Sequence, residues 1–72
     1  MASTDELTNA LDAALITARA EYQQAVIELA EREAAKTSSS NREAADVDHI
    51  HHARTRVIAL EAAREELSRR PD

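Results

Sequence analysis

Apolar residues recur at intervals of three or four along most of this chain, which is the spacing of one face of an α-helix. The first stripe consists of Leu7, Leu11, Leu15, Ala18, Tyr22, Val26 and Leu29. Its steps of 4, 4, 3, 4, 4 and 3 form an eleven-residue repeat with about 3.67 residues per turn. That period predicts a nearly straight or slightly right-handed helix over about residues 4–36.

A second stripe, in the other half of the chain, follows a heptad. It consists of Val47, Ile50, Ala53, Val57, Leu60, Arg64 and Leu67. The a positions are Ile50, Val57 and Arg64, and the d positions are Ala53, Leu60 and Leu67. We therefore predict a second helix over about residues 41–69, which Pro71 cannot extend because proline lacks a backbone N–H.

Each stripe follows a helix-start signal of the form Ser-x-x-Glu. Ser3 is followed by Glu6, and Ser40 is followed by Glu43. In such a capping box the serine hydroxyl accepts a hydrogen bond from the backbone N–H of the third helical residue. Two start signals indicate two separate helices rather than one continuous helix.

A run of serines before the second signal favours a turn over about residues 37–40. A turn this short joins neighbouring antiparallel helices. The predicted fold class is therefore all-α, an antiparallel two-helix hairpin. We predict a single domain over residues 1–72. Residue i of the first helix then lies opposite about residue 77 − i of the second. The predicted layers pair Leu29 with Val47, Val26 with Ile50, Leu15 with Leu60 and Leu7 with Leu67, and they place Tyr22 between Ala53 and Val57.

A weaker apolar stripe on the first helix indicates a second packing partner. It consists of Ile16, Ala20, Ile27, Ala30 and Ala34 and lies roughly 130–150° round the helix from the first stripe. One hairpin cannot cover all thirteen Leu, Ile and Val residues of the chain, whereas dimerisation into a four-helix bundle covers them. The predicted partner-binding residues are Ile16, Ala20, Ile27, Ala34 and Ile58.

Composition narrows the classes of function. The 72 residues include no cysteine or glycine and carry a net charge of −5, so disulfides are excluded and non-specific attraction to nucleic acid or anionic membranes is disfavoured. No apolar run approaches the ~20 residues of a transmembrane helix. We expect an acidic cytoplasmic protein that binds no membrane, with a second copy or another protein as its partner.

Histidines and carboxylates cluster near the start of the second helix, in the segment from Asp46 to His52. Glu28 on the first helix falls opposite His49 in the predicted register, and His52 shares a helix face with His49. These three residues are candidate metal ligands, because bundle metal sites combine a carboxylate with a Glu-x-x-His motif from a facing helix. The competing interpretation is solvated histidines with an Asp48–His52 pair four residues apart.

The function favoured by these patterns is a non-enzymatic protein–protein interaction or assembly module that needs no cofactor. The chain has no readable nucleophile–base arrangement and no glycine-rich phosphate loop, so we expect no enzymatic activity. One alternative is a small dimeric regulator that binds nucleic acid, based on arginines along the second helix, although carboxylates interrupt them. The other alternative is a metal-binding helical bundle.

Overall fold

The computed structural model describes residues 2–35 and 40–70, without the side chain of Ser40. These residues form two α-helices, α1 (Thr4–Ala35) and α2 (Ser40–Arg69), which pack against each other. The helices are antiparallel, because ion pairs join Asp12, Arg19 and Arg32 of α1 to Arg64, Glu61 and Asp46 of α2, in descending order. The predicted all-α hairpin is confirmed.

The helix bounds agree closely with those predicted. α1 begins at Thr4, as expected, and Lys36 together with residues 37–39 of the predicted turn lies outside the described residues. α2 begins at Ser40, one residue earlier than predicted, a difference that is ordinary at a helix end. The predicted capping by Ser40 concerns a side chain that is also outside the described set.

The first capping signal acts as the sequence predicted. The backbone N–H of Glu6 donates to Ser3 Oγ at 3.2 Å, and the N–H of Leu7 donates to the Ser3 carbonyl at 3.0 Å. Asp5 and Glu6 lie in the first turn, where their negative charge is stabilised by the positive end of the helix dipole. Ser3 therefore satisfies backbone donors that the helix itself leaves without partners.

The side of α1 that faces α2 follows a heptad and not the predicted eleven-residue repeat. Its a and d positions are Thr8, Leu11, Leu15, Ala18, Tyr22, Ala25, Leu29 and Arg32, all buried or half-buried, and the half-buried Asp12, Ala14 and Glu28 flank them. Ala25 is buried whereas Val26 is 42% exposed, and Leu7 is 39% exposed. The prediction that Val26 packs in the seam opposite Ile50 was wrong.

The reason for this difference lies in the partner helix. The residues of α2 facing α1 repeat every seven positions, through Asp46, Ile50, Ala53, Val57, Leu60 and Leu67. Two helices stay in contact over this length only if both contact stripes have the same period, and a heptad stripe winds with a left-handed supercoil. Because both stripes share this period, Ala25 faces α2 and Val26 does not.

The predicted central layers are confirmed. Leu15, Ala18 and Val57 form the core cluster, and Tyr22 and Leu60 pack against it, as the register between the helices required. Leu7 and Leu67 line one shallow depression, but Leu7 is 39% exposed, so this predicted layer is not buried in the seam. The prediction that Val47 packs in the seam opposite Leu29 was wrong, because Val47 is 54% exposed and Asp46 occupies the seam position beside it.

Candidate interaction surface

The interior of the hairpin is small. Its buried apolar residues are Leu15, Ala18, Ala25, Ala53 and Val57, and three of these five are alanines, which remove little apolar surface from water. By contrast, six large apolar side chains in the described ranges are exposed: Leu7, Ile16, Val26, Ile27, Val47 and Ile58. The apolar residues available for binding a partner therefore lie on the surface of the hairpin.

Four of these six lie on one side of the hairpin, the side on which Arg19 donates to Glu61 across the seam at 3.1 Å. Val26 follows Arg19 by seven residues, and Val47 precedes Glu61 by fourteen, so both valines occupy the same heptad position as the ion pair. Ile16 and Ile58 each precede a member of the pair by three residues, which places them next to it on the same surface. We call the surface formed by Ile16, Val26, Val47 and Ile58 the Val26 face.

Three of the predicted partner-binding residues point elsewhere. Ala20, Ile27 and Ala34 recur every seven residues on α1 and are all exposed. Ile27 directly follows Val26, about 100° further round the helix, which places these three on the side of α1 away from α2. Ile16 lies between the heptad positions of Val26 and Ile27, so it and Ile58 stand on the side of the Arg19–Glu61 pair while Ile27 lies further outward.

The opposite side of the hairpin is poorer in large apolar side chains. Leu7 is its one exposed example among the described residues, and it lies in the depression shared with Ala10, Leu11, Ala63, Glu66 and Leu67. Sequence reasoning missed Val26 and Val47 as surface residues, because both fit an apolar seam at helical spacing. The heptad of α2, carried over to α1, was the signal that assigns Ala25 rather than Val26 to the interior.

Two of the interhelical ion pairs border the Val26 face. The Arg19 and Glu61 side chains are 55% and 51% exposed, and Arg64 donates to Asp12 nearer the termini. Exposed pairs of this kind contribute about 0–1 kcal/mol each. They orient the two helices without accounting for the stability of the hairpin.

The third interhelical pair is more enclosed. It lies near the C-terminal end of α1 and the N-terminal end of α2. Arg32 donates to Asp46 Oδ1, and the Asp46 side chain is only 12% exposed. The other carboxylate oxygen of Asp46 is buried without a hydrogen bond. Arg32 is thus the principal group offsetting the desolvation of that carboxylate.

The candidate metal ligands do not converge in the structure. Among the described residues, no group of three or more His, Cys, Asp or Glu side chains is arranged to hold a metal ion. Glu28 instead accepts a hydrogen bond from Gln24 at 3.3 Å, and His52 Nδ1 lies 3.4 Å from Asp48. The predicted Asp48–His52 pair is therefore present, while His49, His52 and Glu28 form no common site.

The arginines of α2 do not form a basic stripe. Arg54 and Arg56 are two residues apart, so they project from different sides of the helix. Arg64 pairs with Asp12, and Arg69 pairs with Glu65 and Glu66. This arrangement lacks the clustered positive charge typical of nucleic-acid-binding surfaces.

No protein-family model, curated protein or solved structure matches this chain. In the described residues, neither helix combines the length and apolar character needed to cross a bilayer. The interpretation of the surface therefore depends on its own geometry and chemistry.

Proposed function

We propose that this chain is a non-enzymatic assembly module whose hairpins associate into a four-helix bundle. The observation that carries the proposal is the contrast, within the described residues, between five buried apolar residues and six large apolar side chains left in contact with water. Burying the exposed set against a partner removes apolar surface from water, which is the main favourable term in protein association.

The size of the exposed surface supports this proposal. A compact monomer of 7.9 kDa exposes about 4400 Å² by the size scaling of folded proteins, whereas this hairpin exposes 5543 Å². The excess, roughly 1100 Å², is comparable to the ~800 Å² that each partner buries in a standard protein–protein interface. Association through one face brings the hairpin close to the exposure of an ordinary folded protein.

The shape of the hairpin leads to the same proposal. Its radius of gyration is 16.3 Å, compared with about 11 Å for a compact 72-residue domain. Two helices side by side have no second layer to cover them, and a stable domain needs at least two packed layers around its core. A second hairpin supplies that layer.

The test is the dependence of thermal stability on protein concentration, followed by circular dichroism together with a solution mass. We expect a mass of two or more chains and a melting temperature that rises with concentration, because a partner that binds the folded form alone stabilises it by mass action. A monomeric mass together with a concentration-independent melt of a fully helical chain would refute the proposal.

A further inference from the structure

We infer that the partner is a second copy of this chain and that the two copies meet through the Val26 face, formed by Ile16, Val26, Val47 and Ile58. This inference rests on the proposed assembly function and specifies the surface that performs it. It shares Ile16 and Ile58 with the partner-binding set predicted from the sequence, but it places Val26 and Val47 in the interface instead of the outward line of Ala20, Ile27 and Ala34.

The distribution of exposed apolar side chains distinguishes the faces. The Val26 face carries four of the six large exposed examples in the described residues, with exposures of 42–70%. Tyr22, Gln23, Val26 and Ile27 line a shallow apolar depression at the outward edge of this face. The outward line borders this face at Ile16 and adds only one further large apolar side chain among the described residues, Ile27, between alanines, so it offers less apolar surface to bury.

Geometry favours a second hairpin as the occupant. The molecule measures 53 × 17 × 15 Å, so it presents a long, narrow face to a partner. An identical hairpin laid flat matches that face along its full length and offers the same apolar residues in return. Such self-complementary contact between identical patches is the isologous interface of two-fold symmetric dimers, the commonest oligomers.

The charges on the face are compatible with self-association. Glu33 and Arg54 occupy the same heptad position as Arg19 and Glu61, and neither forms an ion pair with another described residue. Each copy thus brings one unpaired charge of each sign to the face, although the chain as a whole has a net charge of −5. Two copies meet on this face with balanced charge, whereas a strongly acidic or basic partner would satisfy one of the two groups and repel the other.

Two adjacent residues provide a matched pair of variants. Val26→Glu places a carboxylate on the Val26 face, and Ile27→Glu places one on the outward side of α1. The two positions have similar exposure, 42% and 48%, and glutamate is a good helix former at both. Ile58→Glu repeats the test from α2.

The dissociation constant of the dimer is measured by sedimentation equilibrium on the wild type and all three variants. We expect Val26→Glu and Ile58→Glu to weaken the dimer by about 30-fold or more, the effect of removing an interface hot spot, and Ile27→Glu to weaken it less than about fivefold. This mass readout is valid whether or not the separated hairpins keep their helicity, which circular dichroism records on the same samples.

Different failures have different meanings. A dimer that survives Val26→Glu and Ile58→Glu overturns the assignment of the face but leaves the proposed assembly function in place. A dimer dissociated by Ile27→Glu alone overturns it in favour of the outward line. A wild-type chain that stays monomeric at submillimolar concentration overturns the second copy as partner, and a concentration-independent melt of that helical monomer also refutes the assembly function.

Discussion

Replacing Arg32 by alanine is expected to destabilise the hairpin more than the same change at Arg19, although each arginine pairs with one carboxylate across the seam. The Asp46 side chain beside Arg32 is 12% exposed, and one of its oxygens is buried without a hydrogen bond. Removing the guanidinium leaves that carboxylate largely desolvated and without a counter-ion. The Glu61 side chain beside Arg19, being 51% exposed, is solvated by water when its partner is removed.

The magnitudes follow from these exposures. Deleting one partner of a fully buried ion pair costs about 3–5 kcal/mol. Because Arg32 is itself 25% exposed, water can reach part of the vacated site, and we expect about 1–3 kcal/mol. For Arg19→Ala we expect about 0.2–1 kcal/mol, the range of exposed pairs. Both changes replace arginine by alanine inside α1, so the difference in helix propensity cancels in the comparison.

The assay is urea denaturation followed by circular dichroism at one fixed protein concentration, since association contributes to stability. Arg32→Met is the matched control, because it keeps the apolar stem of the side chain and removes the charge. The double variant Arg32→Ala with Asp46→Ala completes a mutant cycle, which isolates the coupling between the two groups. The reasoning is refuted if Arg32→Ala costs no more than Arg19→Ala, or if the cycle gives no coupling.

Two further predictions concern the core and the helix start. Leu15→Ala should destabilise by about 2–5 kcal/mol, because Leu15 is 3% exposed in the core cluster and its truncation leaves a cavity. Ile27→Ala, at 48% exposure and outside the Val26 face, should cost less than about 0.5 kcal/mol in the same urea titration, and equal effects would contradict the described seam. Ser3→Ala should cost about 0.5–2 kcal/mol, because the hydrogen bond from the Glu6 N–H is lost. Ser3→Asp should preserve stability, because aspartate caps a helix equally well. If thermal melts show Ser3→Asp to be as destabilised as Ser3→Ala, the Ser3 hydroxyl does not cap α1.

The sequence predicted those features of the fold that depend on neighbouring residues. The start of α1 was predicted because the Ser3 and Glu6 signal acts within one turn of helix, and the structure contains the expected bond to Ser3. The antiparallel hairpin followed from two such signals and the short segment between two apolar stripes. Leu15 and Tyr22 meet Val57 as expected, because these two α1 positions are common to the eleven-residue and the seven-residue repeats and the heptad of α2 was predicted from the sequence.

The period of the contact stripe on α1 was not predictable from α1 alone. Ala25 and Val26 are neighbours with similar chemistry, and the larger one was assigned to the seam by the usual preference of large apolar residues for the interior. Which of the two is buried depends on the heptad of α2, a property of the pair of helices. The same error concealed the Val26 face, since a residue assigned to the seam was not counted as surface.

The three interhelical ion pairs also determine which alternative alignments of the two helices are rejected. In a heptad pair, sliding α2 by seven residues still brings apolar positions into register, so apolar packing alone discriminates weakly between such alignments. Sliding one way puts Arg54 where Glu61 now meets Arg19, so two guanidinium groups oppose each other. Sliding the other way puts Ser68 opposite Arg19 and Ala53 opposite Arg32, so both arginines lose their carboxylates. The ion pairs, including exposed ones that add little to the free energy of unfolding, thus select one alignment over its nearest competitors, and we expect α1 and α2 to recognise each other in this alignment even as separate peptides.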